Sequence, residues 1–150
     1  MLISELKDIF YESEIKNIYI SNYDYWHITT QSCDCQKIIV DTGDKFVLFE
    51  HQKFEDNGCI IFDLVEDFDK NEFIYKVDFG KEQYTYNEAR CFDNGFVDGI
   101  KFVCNDVYLF IFASEYNLIF TKTRDDLFDD ESVLFEDDGE LMLSIDDLSN

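Results

Sequence analysis

Cysteine and histidine are the residues of this sequence that could support nucleophilic catalysis or bind a soft metal. The two histidines are His27 and His51, and the five cysteines are Cys33, Cys35, Cys59, Cys91 and Cys104. A cysteine becomes a nucleophile when a nearby base or cation favours its thiolate. These cysteines stand among apolar or acidic residues, which favour the neutral thiol. We therefore expect ordinary thiols without a catalytic role.

Two patterns are similar to metal-binding motifs but lack part of the required set. The Cys33-Asp34-Cys35 stretch could hold a soft metal, yet zinc sites usually space their cysteines by about two to four residues and need further ligands. Residues 67–78 place Asp67, Asp69 and Asp78 at the first, third and twelfth positions of a calcium loop, but Glu72 stands where that loop needs glycine. We therefore predict no metal and no other cofactor.

Sequence motifs of the common enzyme classes are missing. The sequence contains no GxGxxG, no GKS or GKT loop and no GxSxG elbow. The scarcity of basic residues also disfavours substrates that carry phosphate. We predict that the protein is not an enzyme; the enzyme alternative would require a convergent polar pocket.

The charge of the chain is strongly negative, with 34 acidic and 12 basic residues and a formal net charge of −22. Residues 124–150 contain 11 of the acids and one of the bases, so this segment alone contributes −10. Nucleic acid and anionic membranes are bound by cationic surfaces. The charge therefore predicts a basic protein partner, and neither direct nucleic-acid binding nor membrane binding.

The first residues and the hydropathy of the chain predict a cytoplasmic protein. The opening MLISELKDIF carries acids where a secretory signal needs an apolar run. No apolar run approaches the roughly 18 residues of a membrane span. Unpaired cysteines, scattered and odd in number, are typical of a reducing compartment. With no Pro-rich or Gly/Ser-rich linker, residues 1–150 are expected to form a single domain.

Hydrophobic periodicity predicts a mainly β protein with one short helix. Leu6, Ile9 and Phe10 recur at helical spacing after Ser4, a plausible N-cap, which favours a helix at 4–12. Further on, KIIV (37–40) and KFVLFE (45–50) flank a glycine-containing turn, and CIIFDLV (59–65) has the pattern of a buried strand. EFIYKVDF (72–79) is expected to return through a Gly80-Lys81 turn. Residues 99–123 predict three antiparallel strands.

The fold class that follows is α+β, mainly β, with a curved antiparallel sheet or sandwich and the short helix on one face. The middle strand of the 99–123 unit, Val107 to Phe112, is apolar on both faces. Such a strand must be covered on both sides by other parts of the chain.

The acidic C-terminal segment 124–150 permits three structures. Leu127, Leu134, Leu141 and Leu148 recur every seven residues, but Glu131 and Asp138 occupy the second seam position that a coiled coil needs. The Asp138-Gly139 pair lies between VLFE and ELMLSI, which favours a hairpin at 133–145. A short turn of helix at 124–131 is compatible with it. A helix and a mobile arm are the alternatives.

Acids alternate with large apolar side chains at several places, notably YDYW (23–26), FEDNG (54–58), EDFD (66–69) and DLFDDE. On a surface, carboxylates could meet lysine and arginine of a partner while rings supply buried anchors. Ordinary core aromatics beside solvated acids would give the same pattern. The predicted partner-binding residues are Asp125, Asp126, Asp129, Asp130, Glu136, Asp137, Tyr23, Asp24, Tyr25 and Trp26.

In size, charge and expected β-rich structure, the chain resembles bacterial toxin-immunity proteins, including those paired with contact-dependent or polymorphic toxins. The resemblance rests on composition and on acidic segments such as DDLFDDE and FEDDGE. It implies a cytosolic antidote that blocks the cationic active site of a nuclease-type toxin. Alternatives are a nucleic-acid mimic that blocks a restriction or CRISPR nuclease, and another non-enzymatic interaction protein.

Overall fold

A computed structural model of the protein describes residues 3–23, 32–91, 95–129 and 143–149. It contains one short N-terminal helix and a strongly curled antiparallel sheet that forms a half-barrel. The prediction of a mainly β protein with a curved antiparallel sheet and a short N-terminal helix is therefore confirmed.

Eleven strands follow the helix within the described residues. The elements in chain order are α1 (Ile3–Ile9), β1 (Asn17–Ile20), β2 (Ser32–Cys35), β3 (Lys37–Asp41), β4 (Phe46–Phe54), β5 (Asn57–Val65), β6 (Tyr75–Asp78), β7 (Thr85–Cys91), β8 (Val97–Cys104), β9 (Val107–Ala113), β10 (Leu118–Thr123) and β11 (Ser144–Asp147). They hydrogen-bond in the order β11-β6-β1-β3-β4-β5-β8-β9-β10-β2, and β7 pairs with β8 beside this path.

Gln36 joins β2 to β3 and ties together parts of the sheet that are distant in strand order. Its carbonyl oxygen accepts a hydrogen bond from the His51 amide of β4, at 3.1 Å. Its side-chain Nε2 donates to the Tyr116 carbonyl oxygen at 2.9 Å and also to Asn117 Oδ1, both in the turn between β9 and β10. The curl of the sheet brings these elements to one end of the half-barrel.

Helix α1 belongs to the core of the half-barrel. Leu6 and Phe10 are fully buried, and the Phe10 ring stacks on Tyr86 with 5.4 Å between centroids and meets Phe102 edge-on at 5.6 Å. The helix ends at Ile9 rather than at residue 12, and Ser4 lies inside it rather than at its N-cap. A seven-residue helix is not stable alone. The packing of its buried side against the sheet, rather than an N-cap, therefore stabilises α1.

The predicted β-hairpins between neighbouring segments are largely confirmed. Strands β3 and β4 pair from Asp41↔Phe46 onward around Gly43, whose φ of 91° suits glycine. Strands β8, β9 and β10 form the predicted three-stranded unit, with Asn105 in a left-handed conformation at the first turn. Asparagine tolerates this conformation better than most residues.

Two strand predictions differ from the structure. The segment after Gly80 does not return to pair with β6, because β7 pairs with β8 and β6 pairs with β1 and β11. Strand β5 is also not buried on both faces, since Ile61 and Leu64 are exposed. The pairing error arises because local patterns identify a strand but not its neighbour across the sheet.

The predicted C-terminal hairpin at 133–145 remains a prediction. Most of the 133–145 segment lies outside the described residues. Within the described residues, Ser144–Asp147 forms β11 and pairs antiparallel with β6, in register from Ser144↔Asp78 to Asp147↔Tyr75. Leu143 is buried in the main core, as expected for an apolar side chain that packs on the sheet.

Replacement of Gly58 tests the close approach of β5 to the β9–β10 turn. A Cβ at Gly58 would clash with the Ser114 carbonyl oxygen and with the His51 ring, which is itself hydrogen-bonded to that oxygen at 2.8 Å. We expect Gly58→Ala to lower the free energy of unfolding by more than about 2 kcal/mol. Gly80→Ala is the control, because Gly80 has φ 61° in open space and the change should cost only about 1 kcal/mol. Equal urea midpoints for the two variants would contradict the packing at Gly58.

Candidate functional site

A second, smaller aromatic cluster covers the outer face of β8 and β9. The buried Phe110 ring stacks on Phe112 with 5.2 Å between centroids. Phe128, from the segment that follows β10, packs against both rings at 5.2 and 5.8 Å. Gly99 makes room for it, since a Cβ there would stand 2.9 Å from Phe128 Cε1. The second face of the apolar middle strand is thus covered by residues of the acidic segment.

Lys101 is a buried cation at the edge of this aromatic cluster. Its side chain is 5% exposed, and its Nζ donates to Asp126 Oδ2 at 2.8 Å and lies 2.7 Å from Glu88 Oε1. The same Nζ stands 5.3 Å from the centroid of the Phe128 ring. Burial lowers the pKa of Lys101, but the hydrogen bonds to Asp126 and Glu88 outweigh it, so the pKa is raised overall. The lysine therefore remains charged inside the fold.

Arg90 is a second cation held against the same rings. Its Nε and one terminal nitrogen donate to the two carboxylate oxygens of Asp98, both at 3.1 Å. The guanidinium carbon lies 5.4 Å from the Phe112 centroid and 5.2 Å from the Phe128 centroid. A planar guanidinium suits this position, because it can pair with a carboxylate and stack on an aromatic face together.

The predicted partner-binding residues near the C terminus divide into two kinds. Asp126 is partly buried and is occupied within the chain, through Lys101 and through its Oδ1, which accepts from the Phe128 amide at 3.1 Å. Asp125 and Asp129 are exposed on either side of it. The Asp129 amide donates to the Asp126 carbonyl oxygen at 3.1 Å, so this part of 124–131 is a tight turn. Asp130, Glu136 and Asp137 lie outside the described residues.

In the other predicted segment, residues 23–26, the structure describes Tyr23. Tyr23 packs edge-on against Tyr75 of β6, with 4.6 Å between ring centroids. Asp24, Tyr25 and Trp26 lie outside the described residues. Tyr23 thus packs beside β6, whereas Phe128 of the 125–129 turn packs on β9.

A further acidic and aromatic surface surrounds the β4–β5 turn, where FEDNG forms the tip of a hairpin. Phe54 packs on Phe96 at 4.8 Å between centroids, and Lys53 Nζ lies over the Tyr116 ring at 5.0 Å. Tyr116 is 63% exposed and Phe96 37% exposed. The exposed acids Glu55 and Asp56 occupy the turn itself. Glu115 Oε1 lies 3.8 Å from Lys53 Nζ. The sequence pattern indicates FEDNG as a possible surface site but not Tyr116. The β4–β5 and β9–β10 turns are distant in the sequence and meet only in the folded chain.

Three of the five cysteines, Cys33, Cys35 and Cys59, have the buried environment of structural thiols. Cys33 and Cys35 are buried in the core, and all five cysteines are free. Burial, with a contribution from the Asp34 carboxylate, raises the pKa of Cys33 to about 12. Burial likewise raises the pKa of Cys35 well above its usual value. Among the described residues, no group of three or more histidine, cysteine or acidic side chains is arranged to hold a metal.

Comparisons of the chain with known protein families, with curated proteins and with solved structures found no match. In the described part of the chain, no helix has the length and apolar character needed to cross a membrane.

The burial of the cysteines predicts selective thiol labelling. At pH 8, an aromatic disulfide reagent should modify the exposed Cys91 first, while Cys33, Cys35 and Cys59 stay unmodified until the chain is unfolded. The raised pKa of Cys33 keeps its thiol neutral at this pH, and burial blocks access. Peptide mass spectrometry identifies the modified positions. Rapid labelling of Cys33 in the native protein would contradict the structure.

The pairing of Lys101 predicts that neighbouring aspartates differ in their effect on stability. Asp126→Ala should lower the free energy of unfolding by about 2 kcal/mol, because it removes one of two carboxylates from a buried cation. Asp125 is the neighbouring residue and is exposed, so Asp125→Ala should change the free energy of unfolding by less than about 0.5 kcal/mol. Urea denaturation followed by tryptophan fluorescence compares the two. If both variants unfold at the same urea concentration, Asp126 is no more than a surface acid.

Proposed function

We propose that this chain is an acidic binding protein of the cytoplasm that neutralises a basic protein partner, and that the partner is the active domain of a nuclease-type toxin. The protein would then act as an immunity protein. A nuclease domain binds an anionic substrate and therefore presents a cationic site, which a strongly acidic protein can occupy.

The observation that carries this proposal is the internal use of the basic side chains. Arg90 and Lys101 pair with carboxylates on the outer aromatic cluster, and Lys122, largely buried, pairs with Glu82 at 2.7 Å. Lys37 pairs with Glu72 at 3.0 Å. Because acids outnumber bases by 34 to 12, these pairs leave a large excess of exposed carboxylates. The net charge of the surface is then strongly negative, which favours fast association with a basic protein.

The exposed rings supply a second supporting feature. Tyr116 stands beside Glu115 and close to the Glu55–Asp56 turn. Large rings near acids can form the anchors and the charged rim of a protein interface. The free cysteines support a reducing compartment such as the cytoplasm.

The test is coexpression with the candidate toxin. The gene adjacent to that of this chain is expressed in a susceptible bacterium with and without the acidic protein, and cell survival is counted. Restored survival together with a purified, stoichiometric complex is the expected result. Survival that is unchanged by the acidic protein, with no complex, contradicts the proposal.

Charge reversal at exposed positions should slow association. Asp125→Lys with Asp129→Lys leaves the Asp126 pair intact, so we expect unchanged folding and an association rate lower by about tenfold at low salt. Raising the ionic strength from about 0.05 to 0.3 M should slow the parent chain similarly, because screening shortens the Debye length. Stopped-flow fluorescence measures both rates. An association rate that changes neither with ionic strength nor with charge reversal would exclude electrostatic steering.

A further inference from the structure

Tyr116 is an aromatic side chain that the fold leaves on the surface, in the turn between β9 and β10. The residue is 63% exposed. Hydrogen bonds hold the turn: the Ser114 amide donates to the Asn117 carbonyl oxygen at 2.8 Å, and the Asn117 amide donates to Ser114 Oγ at 3.1 Å. Gln36 Nε2 donates to the Tyr116 carbonyl oxygen at 2.9 Å. A ring on a turn that is already ordered can bind a partner at a lower entropic cost.

The β4–β5 hairpin is fixed beside this ring. A Cβ at Gly58 would clash with the Ser114 carbonyl oxygen, so the end of the hairpin and the β9–β10 turn are in close contact. The exposed side chains of these two turns therefore form one surface, which we call the two-turn surface. It consists of Lys53, Glu55, Asp56, Glu115 and Tyr116.

The two-turn surface already binds a cation that belongs to the chain itself. Lys53 Nζ lies 5.0 Å from the centroid of the Tyr116 ring and 3.8 Å from Glu115 Oε1. The face of an aromatic ring attracts an ammonium or guanidinium group. The Lys53 side chain is 54% exposed, and exposed ion pairs contribute little free energy. A cation from another molecule can therefore take the position of the Lys53 ammonium.

We propose that the Tyr116 ring and the Glu115 carboxylate bind an arginine or lysine side chain of the basic protein partner, and that Lys53 occupies this position in the free chain. The inference rests on the proposed function. In the complex, the partner's cation lies on the ring and the Lys53 ammonium moves into solvent. Glu55 and Asp56 on the adjoining turn meet further basic groups around it.

The charge of the two-turn surface favours this occupant over a second copy of the chain. Three of its five residues are acidic and one is basic. Two copies that met here would bring together chains that each carry −22, and such chains repel one another. A basic domain brings the complementary charge.

The chemistry of the position suits arginine in particular. A guanidinium can lie on an aromatic face and pair with a carboxylate at the same time. The chain holds its own Arg90 in this way, against the Phe112 ring and the Asp98 carboxylate. The Tyr116 ring and the Glu115 carboxylate offer the same pair of groups at the surface.

Removal of the Lys53 charge is the first test, made with the full chain and the basic domain encoded by the adjacent gene. Lys53→Met keeps a long apolar side chain but frees the ring and the carboxylate, so the dissociation constant should fall by at least about threefold. Lys70→Met is the matched control, because Lys70 is exposed elsewhere and the change of charge is equal. It should alter the constant by less than about twofold. Isothermal titration calorimetry measures both constants.

Removal of the ring is the second test. Tyr116→Ala should raise the dissociation constant by more than about tenfold, because an exposed ring at the centre of an interface is a common anchor. Tyr11→Ala is the matched control, since Tyr11 is 73% exposed and lies after α1, and it should change the constant by less than about threefold. Circular dichroism confirms that the variants remain folded. The gain from Lys53→Met should be lost in the Tyr116→Ala background, because the ring that Lys53 covers is then missing.

The other outcomes separate the two proposals. If all variants bind as tightly as the parent chain, the cation position is wrong and the proposed function stands. If Lys53→Met weakens binding, Lys53 helps to hold the complex and the inference is overturned. Absence of any binding or neutralisation by the parent chain overturns both proposals. If the chain alone forms a dimer that Tyr116→Ala dissociates, the occupant is a second copy and the inference is wrong.

Discussion

The covalent link from Cys35 through Gln36 to Lys37 is the constraint on which the shape of this protein depends. Strands β2 and β3 are separated by one residue, yet along the hydrogen-bonded path β2 lies six strands from β3. In a flat sheet, six steps would separate them by about 29 Å, whereas two residues span about 7 Å. The sheet must therefore curl until β2, at one end, approaches β3. The bonds from Gln36 to β4 and to the β9–β10 turn hold that curl in place.

The curled sheet separates two environments that use different chemistry. The concave side holds an apolar core with α1, whereas the outer side of β8 and β9 holds rings together with paired cations. Burying Lys101 or Arg90 would be costly without partners, and each has carboxylate partners in reach. Some of the acids thus pair with the buried Lys101 and the partly buried Arg90. The remaining acids give the exterior its negative field.

Local signals account for the parts of the fold that the sequence predicts well. Gly43 and Asn105 stand between apolar runs, so turn chemistry identifies the β3–β4 and β8–β9 hairpins. The partners of β6 come from both ends of the chain, and no local pattern indicates them. The candidate site divides in the same way. Asp125 and Asp126 are identical neighbours in the sequence, and the approach of Lys101 from another strand distinguishes the partly buried aspartate from the exposed one.

The pairing of β2 with β10 has a consequence for how the chain folds during synthesis. Ser32 and Thr121 share a buried hydrogen bond of 2.7 Å although 89 positions separate them. The N-terminal half therefore emerges from the ribosome long before the strand that completes its edge. Pairings between such distant segments form slowly. Repulsion between strongly negative nascent chains would oppose pairing between the β2 strands of different chains. Each β2 would then stay unpaired until β10 of the same chain has been synthesised.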